Sequence, residues 1–128
     1  MSKRINISSG APWEETVGYS RAVRVGQFIE VAGTTAVEEG EVLFPNQAFE
    51  QTQYILLKIQ QAIEDAGGKL EDVVRTRIYV TDIELWEEVG RAHGEIFKDI
   101  RPAATMVEVY ALIRPGLVVE IEATAIVS

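Results

Sequence analysis

The 128-residue chain contains no cysteine, a single histidine and only four prolines. Without cysteine there is no disulfide, no thiolate nucleophile and no sulfur-ligated metal, a composition that fits a reducing compartment. The lone His93 supplies neither a triad, for want of a partner nucleophile, nor a multi-histidine metal site. Positive charge is also scarce: 12 Lys and Arg stand against 20 Asp and Glu, a net charge of −8 at pH 7. Phosphate binding rests on clustered Lys and Arg, so a broad nucleic-acid surface is disfavoured. No run approaches the roughly 18 apolar residues that a membrane span needs, and "MSKRINISSG" has no apolar h-region. No glycine-rich loop leads into a helix, so nothing cradles a phosphate. A soluble cytoplasmic protein with no metal and no cofactor is expected.

Hydrophobic residues at 47% and charged residues at 25% are ordinary globular values. A single domain over residues 1–128 is expected, large enough to bury about two-thirds of its unfolded surface in one core. A short strand at Arg4–Ile7 precedes the turn-rich "SSGAPWEETVG". "SRAVRVGQFIEVAGTT" then gives two β-rich runs around Gly26-Gln27, a pair suited to a type II′ hairpin. After the loop "EEGEVLFPNQ", residues 46–66 change to helical period. Ala48, Ile55, Ile59, Ala62, Ile63 and Ala66 fall on one side, with Gln51, Lys58, Gln60 and Glu64 on the other. Gly67-Gly68 stops that helix.

A strand follows in "DVVRTRIYVTD", with Val74, Thr76, Ile78 and Val80 on one face and Arg75, Arg77 and Tyr79 on the other. The second helix is expected to open at a Thr81-to-Glu84 capping box, with an apolar stripe of Trp86, Val89, His93, Ile96 and Phe97. Beyond Pro102, two closing strands are expected to turn on one another at Arg114-Pro115-Gly116. Strands before, between and after the helices make an α+β domain, a mixed sheet with two helices on one face. The outward row of Tyr79, Met106 and Tyr110 is too apolar for open water, which points to a homo-oligomer.

The last strand raises a chemical question. In "VVEIEATAIV", period-2 geometry sets Val119, Ile121, Ala123 and Ala125 on one face and Glu120 and Glu122 on the other. A carboxylate whose pKa burial raises toward neutrality serves as a general base. On the residues alone, a salt bridge to Arg75, Arg77 or Arg114 on a neighbouring strand is the simpler explanation of Glu120.

"GYSRAVRVG", "IEVAGTT", "AIEDAGGKLEDVVRTRIYVTD", "RPAATMVEVYAL" and "VEIEATA" occur in that order over nearly the whole chain. In these motifs the chain resembles the RidA/YjgF family. The resemblance implies a chorismate-mutase-like fold assembled as a homotrimer, with clefts for a small-molecule ligand between subunits. It implies cofactor-free hydrolysis of reactive enamines and imines to a 2-keto acid and ammonia, and the family has also been labelled endoribonuclease. The family's water-positioning glutamate corresponds to Glu120, a cleft tyrosine to Tyr19, and a Gly-Thr pair to Gly33 and Thr34. The arginine that holds the substrate carboxylate is missing, since its position is Ala104. A cysteine common two residues later is Met106 here.

Losing one partner of a buried charge pair costs about 2–5 kcal/mol, roughly 30- to 4000-fold in affinity. Another arginine must therefore take over, or the ligand must lack a carboxylate. Arg21, two residues from Tyr19, and Arg101, before Pro102, are the candidate replacements. Ser20 and Thr105 offer hydroxyls, Glu122 is expected to be structural, and His93 is expected to pack on its helix. Two functions remain open on the sequence: a hydrolase with Glu120 holding water, and a metabolite-binding trimer without turnover. Ribonuclease action is disfavoured by the acidic charge.

Overall fold

A computed structural model describes residues 3–128. Strand β1 (Arg4–Ile7) is followed by helix α1 (Pro12–Val17), then β2 (Ala22–Val25) and β3 (Phe28–Thr34). A two-stranded ribbon, β4 (Val37–Glu38) and β5 (Glu41–Val42), leads into helix α2 (Ala48–Asp65). Next come β6 (Val73–Val80), helix α3 (Trp86–Phe97), β7 (Ala103–Glu108) and β8 (Val119–Ile126). The fold is a mixed α+β arrangement. Its main sheet has six strands in the order β1-β2-β3-β8-β6-β7, antiparallel except for the parallel pair β6–β7.

The core lies between this sheet and α2, whose Ile55, Leu56, Ile59 and Ile63 are all 1% exposed or less. They meet Ile29 and Val31 of β3, Ile78 and Val80 of β6, and Val119, Ile121 and Ala123 of β8. The expected alternation of β8 is observed: residues 119, 121, 123 and 125 are buried, and Glu120 and Glu122 open to the other face. The β2–β3 turn also follows expectation. Gly26 has φ +60° while Gln27 stays out of the left-handed region, the pattern of a type II′ rather than a type I′ turn. Helix α2 ends in a Schellman arrangement, with Gly68 N–H bonded to Ile63 C=O and Gly67 N–H to Glu64 C=O.

Several expectations are corrected. The turn-rich segment 8–18 contains α1, started by Pro12 and tied back by Glu14, which accepts from Ser9 N–H and Oγ–H. The loop 37–42 pairs with itself as β4–β5. The helix entry near Thr81 is capped by Asp82, whose carboxylate accepts from Glu84 N–H in a short 3₁₀ turn, and Trp86 is 55% exposed instead of packed. The chain after Pro102 does not close as a hairpin. Strand β7 returns beside β6 after α3, a β-helix-β crossover, and β8 then inserts between β6 and β3.

Val74 is exposed and Val73 buried, because a register shift between Val73 and Arg75 on β6 breaks the alternation there. Met106 is level with Ile78 in the parallel pair and packs against the core, so it is not part of an outward row with Tyr79. Gln51 also departs from the polar side of α2. It is fully buried, with Nε2 donating to Gly116 C=O at 2.8 Å and Phe44 C=O at 3.0 Å, and Oε1 accepting from Val118 N–H at 3.0 Å. One amide thereby satisfies backbone groups of two loops, which is what makes its burial tolerable.

Candidate active-site cleft around Glu120

Strand β8 carries Glu120 opposite Tyr79 of β6. On its other side, β8 pairs with β3 through a register shift between Val31 and Thr34. Gly33 sits in that irregularity, and its missing side chain is what Glu120 uses. A Cβ built on Gly33 would lie 2.1 Å from Glu120 Oε2 and 3.1 Å from its Cδ. The carboxylate lies across the glycine, in a cavity of about 320 Å³ that Gly33, Tyr79, Val109, Ala111, Leu112, Glu120 and Glu122 line. Gly33 thus allows the close approach of the Glu120 carboxylate to the β3 backbone.

Burial pushes the Glu120 carboxyl above the ordinary glutamate value; the Arg21 guanidinium pulls it back and neighbouring Glu122 pushes it up again. Arg75, Arg77 and Arg114 bond elsewhere: to Thr105 Oγ1 at 2.6 Å, to Thr124 Oγ1 at 3.5 Å, and to Gly40 C=O. The salt-bridge explanation of Glu120 therefore has no contact behind it among the described residues. Glu122 is engaged differently, accepting a hydrogen bond from the Tyr79 hydroxyl. That bond is the main cause of a raised Tyr79 pKa, with burial adding to it. Sequence reasoning missed this pairing, because side-chain alternation does not say which strand becomes the neighbour of β8.

Arg21 lies against this arrangement. Its Nη2 donates to Gly33 C=O at 2.8 Å, and its guanidinium carbon is 5.8 Å from the Tyr19 ring centroid. Tyr19 and Arg21 do meet, as their two-residue spacing implies. Tyr19 and Ser20 line a second hollow of about 740 Å³ with Glu14, Glu30 and Glu122. That hollow is larger, but Glu120, the carboxylate that burial raises, lines the smaller cavity. Thr34 turns to the core, 1% exposed, and donates to Ala32 C=O at 2.8 Å.

The remaining candidates lie on or before β7. Ala104 is level with buried Thr76 and so faces the helix side of the sheet, away from Glu120 of the same chain. Thr105, on the opposite face, accepts from Arg75. Arg101 has φ +54° and folds back to donate from Nε to Lys98 C=O at 3.0 Å, closing the end of α3. His93 packs 4.7 Å from the Phe97 ring centroid with Nε2 2.9 Å from Thr76 Oγ1, and burial lowers its pKa. The single chain thus brings together Glu120, Gly33, Arg21 and Tyr19, and sets Arg101, Ala104 and Thr105 apart from them.

A family model described as Endoribonuclease L-PSP matches residues 10–127. A crystal structure from Mycobacterium tuberculosis, described as a member of the YjgF/YER057c/UK114 family, is 52% identical with TM-score 0.89, covering 98% of this chain and all of that one. A RutC family protein of Pyrococcus abyssi is 34% identical over 98% of both chains. A protein of Acinetobacter baylyi named 3-aminoacrylate deaminase RutC is 29% identical, again over 98% of both. This chain belongs to the Endoribonuclease L-PSP, or YjgF/RidA, family.

Proposed function

We propose that the protein hydrolyses a small reactive enamine or imine without a cofactor, in the Glu120 cleft of a homotrimer. The observation that carries this reading is the placement of Glu120. Its carboxylate occupies the space over Gly33, is not bonded to an arginine, and has its pKa raised by burial. Such a group holds a water and removes its proton as the oxygen attacks. The enamine first gains a proton on carbon to become the iminium ion. Water then adds to the C=N carbon, its proton going to Glu120. The carbinolamine takes a proton on nitrogen and expels ammonia as the carbonyl forms, so enamine plus water gives ketone plus ammonia. Similarity to a relative named for 3-aminoacrylate deamination supports this substrate class.

The trimer reading is supported by apolar side chains left open to solvent in the single chain. Val107 is 42% exposed, Ile113 83% and Tyr110 fully. Val109 and Ala111 of the same segment line the Glu120 cavity. A homotrimer would cover this segment and shield the cleft beside it.

Ala104 favours a second reading, a trimer that binds a small metabolite without turnover, because alanine offers the ligand no charge. The deciding experiment measures loss of 2-aminoacrylate, generated in situ by a serine dehydratase, and of 3-aminoacrylate. Wild type, Glu120→Ala and Ala104→Arg are compared. Activity that disappears in Glu120→Ala establishes the hydrolase. Activity gained only in Ala104→Arg shows that the machinery acts on a substrate without that carboxylate. Three inert proteins would leave the binding trimer.

A further inference from the structure

Where β2 begins and β3 ends, two cations come together, and both donate to backbone carbonyls. Arg21 spends one arm on Gly33 C=O. Its Nε is buried and has no hydrogen-bond partner, the single buried side-chain nitrogen or oxygen left so among the described residues. Lys58 reaches from α2 to donate to Val37 C=O at 3.1 Å, its ammonium 5.5 Å from the Tyr54 ring centroid. Burial, then the Arg21 charge, lowers the Lys58 pKa, and Glu38 partly restores it. Two like charges drawn together at half-buried positions, one with an orphaned donor, make a seat that an anion completes.

We propose that Arg21, backed by Lys58, seats the carboxylate of the ligand in the Glu120 cleft and selects small carboxylates over their neutral analogues. This rests on the cleft being the ligand site, and it supplies the anchor that Ala104 cannot. The geometry is suited to the task. Arg21 grips the carbonyl of the same glycine over which Glu120 lies. A carboxylate on the guanidinium is therefore held next to the water-positioning group. Lys58 adds charge without a fork, which favours a compact monoanion.

The test is an NMR titration of the full-length protein with pyruvate and with its neutral methyl ester. In wild type, pyruvate is expected to shift the Arg21 Nε–H signal and the amides of residues 32–35, at lower concentration than the ester. Arg21→Gln is expected to weaken pyruvate binding at least about 30-fold, the low end for a truncated charge pair, and to leave the ester unchanged. Lys58→Met should show a smaller loss, again for pyruvate only. Equal binding of the two probes, an unmoved Nε–H signal, or parallel loss of both probes in Arg21→Gln would overturn the proposal. Parallel loss would make Arg21 only a brace for the β3 irregularity. Should Arg21→Gln fail to fold, the wild-type Nε–H shift and Lys58→Met decide. Binding is read here without turnover. Carboxylate selectivity in a protein inert to enamines would remove the hydrolase and keep the anchor; the reverse pattern would do the opposite.

Discussion

Replacing Gly33 with alanine isolates the Glu120 geometry from its chemistry. The glutamate itself is retained and only its place is taken. The new Cβ would stand 2.1 Å from Glu120 Oε2, where ordinary contact begins near 3.4 Å. The carboxylate must therefore retreat by roughly 1 Å, a misplacement that costs about 100-fold in rate when the group orients a reactant. Stability should hardly change. The clash meets the free end of a flexible side chain, and the φ of Gly33 is outside the left-handed region, so alanine is not strained there. The expected outcome is a kcat for 2-aminoacrylate about 100-fold below wild type, with a melting temperature within a few degrees. Most of the loss should return in Gly33→Ala/Glu120→Asp, whose carboxylate is one methylene shorter. A kcat within threefold of wild type would refute the reasoning, because the exact seat of Glu120 would then not matter. A large drop in melting temperature would refute it too, since Gly33 would then be serving the fold.

Glu120→Gln should stabilise the protein at neutral pH. A folded-state pKa above the unfolded value means that folding favours the neutral carboxyl, so the stability Glu120 contributes is full below its unfolded pKa and is lost as pH rises through the folded one. The gain over wild type in thermal melts should be present at pH 7 and vanish near pH 4; an equal gain at both would contradict the burial account. Gln51→Leu removes the recorded partner of Leu43 C=O and of Val118 N–H, while Phe44 C=O and Gly116 C=O keep backbone donors in Gln47 and Asn46. At about 1 kcal/mol or more for each of the two groups left without a partner it should cost at least about 2 kcal/mol, read by urea denaturation. A cost below 1 kcal/mol would mean that water replaces the amide. Light scattering at micromolar concentration should give three times the 14.2 kDa chain mass, and a monomer would remove the proposed cleft between subunits.

Elements whose identity is local were legible in the sequence: the β2–β3 turn, the span and stop of α2, and the alternation that turns Glu120 and Glu122 away from the core. What was not legible is pairing. The segment Arg114-Pro115-Gly116 carries a strong turn signal, but a turn does not choose a sheet neighbour. Its role is to offer Gly116 C=O to the buried Gln51 amide while the chain crosses to the gap between β3 and β6. A register shift at Val73–Arg75 spoiled the alternation of β6, and Met106 took its face from Ile78 beside it, which strict period-2 counting on separate strands misses.

The candidate site divides along the same line. Glu120 could be found because a charge on a core strand breaks a local rule. Lys58 could not, because a lysine on the polar side of a helix breaks none, and only the packing of α2 against the ends of β2 and β3 carries it to Val37 and into the field of Arg21. The loss at Ala104 has the same character. In sequence it reads as a missing anchor beside an intact Glu120. In the fold, Ala104 is on the far strand and faces the other side, so an arginine there serves Glu120 only across a subunit boundary. Arg21 needs no such boundary, since it already holds the glycine beneath the carboxylate. An anchor moved from the edge strand to Arg21 would bring the anion seat and the water-positioning group into one chain. The trimer would then be needed to shield the cleft and no longer to supply its charge. Disruption of the proposed trimer should accordingly abolish the proposed turnover before it abolishes carboxylate binding.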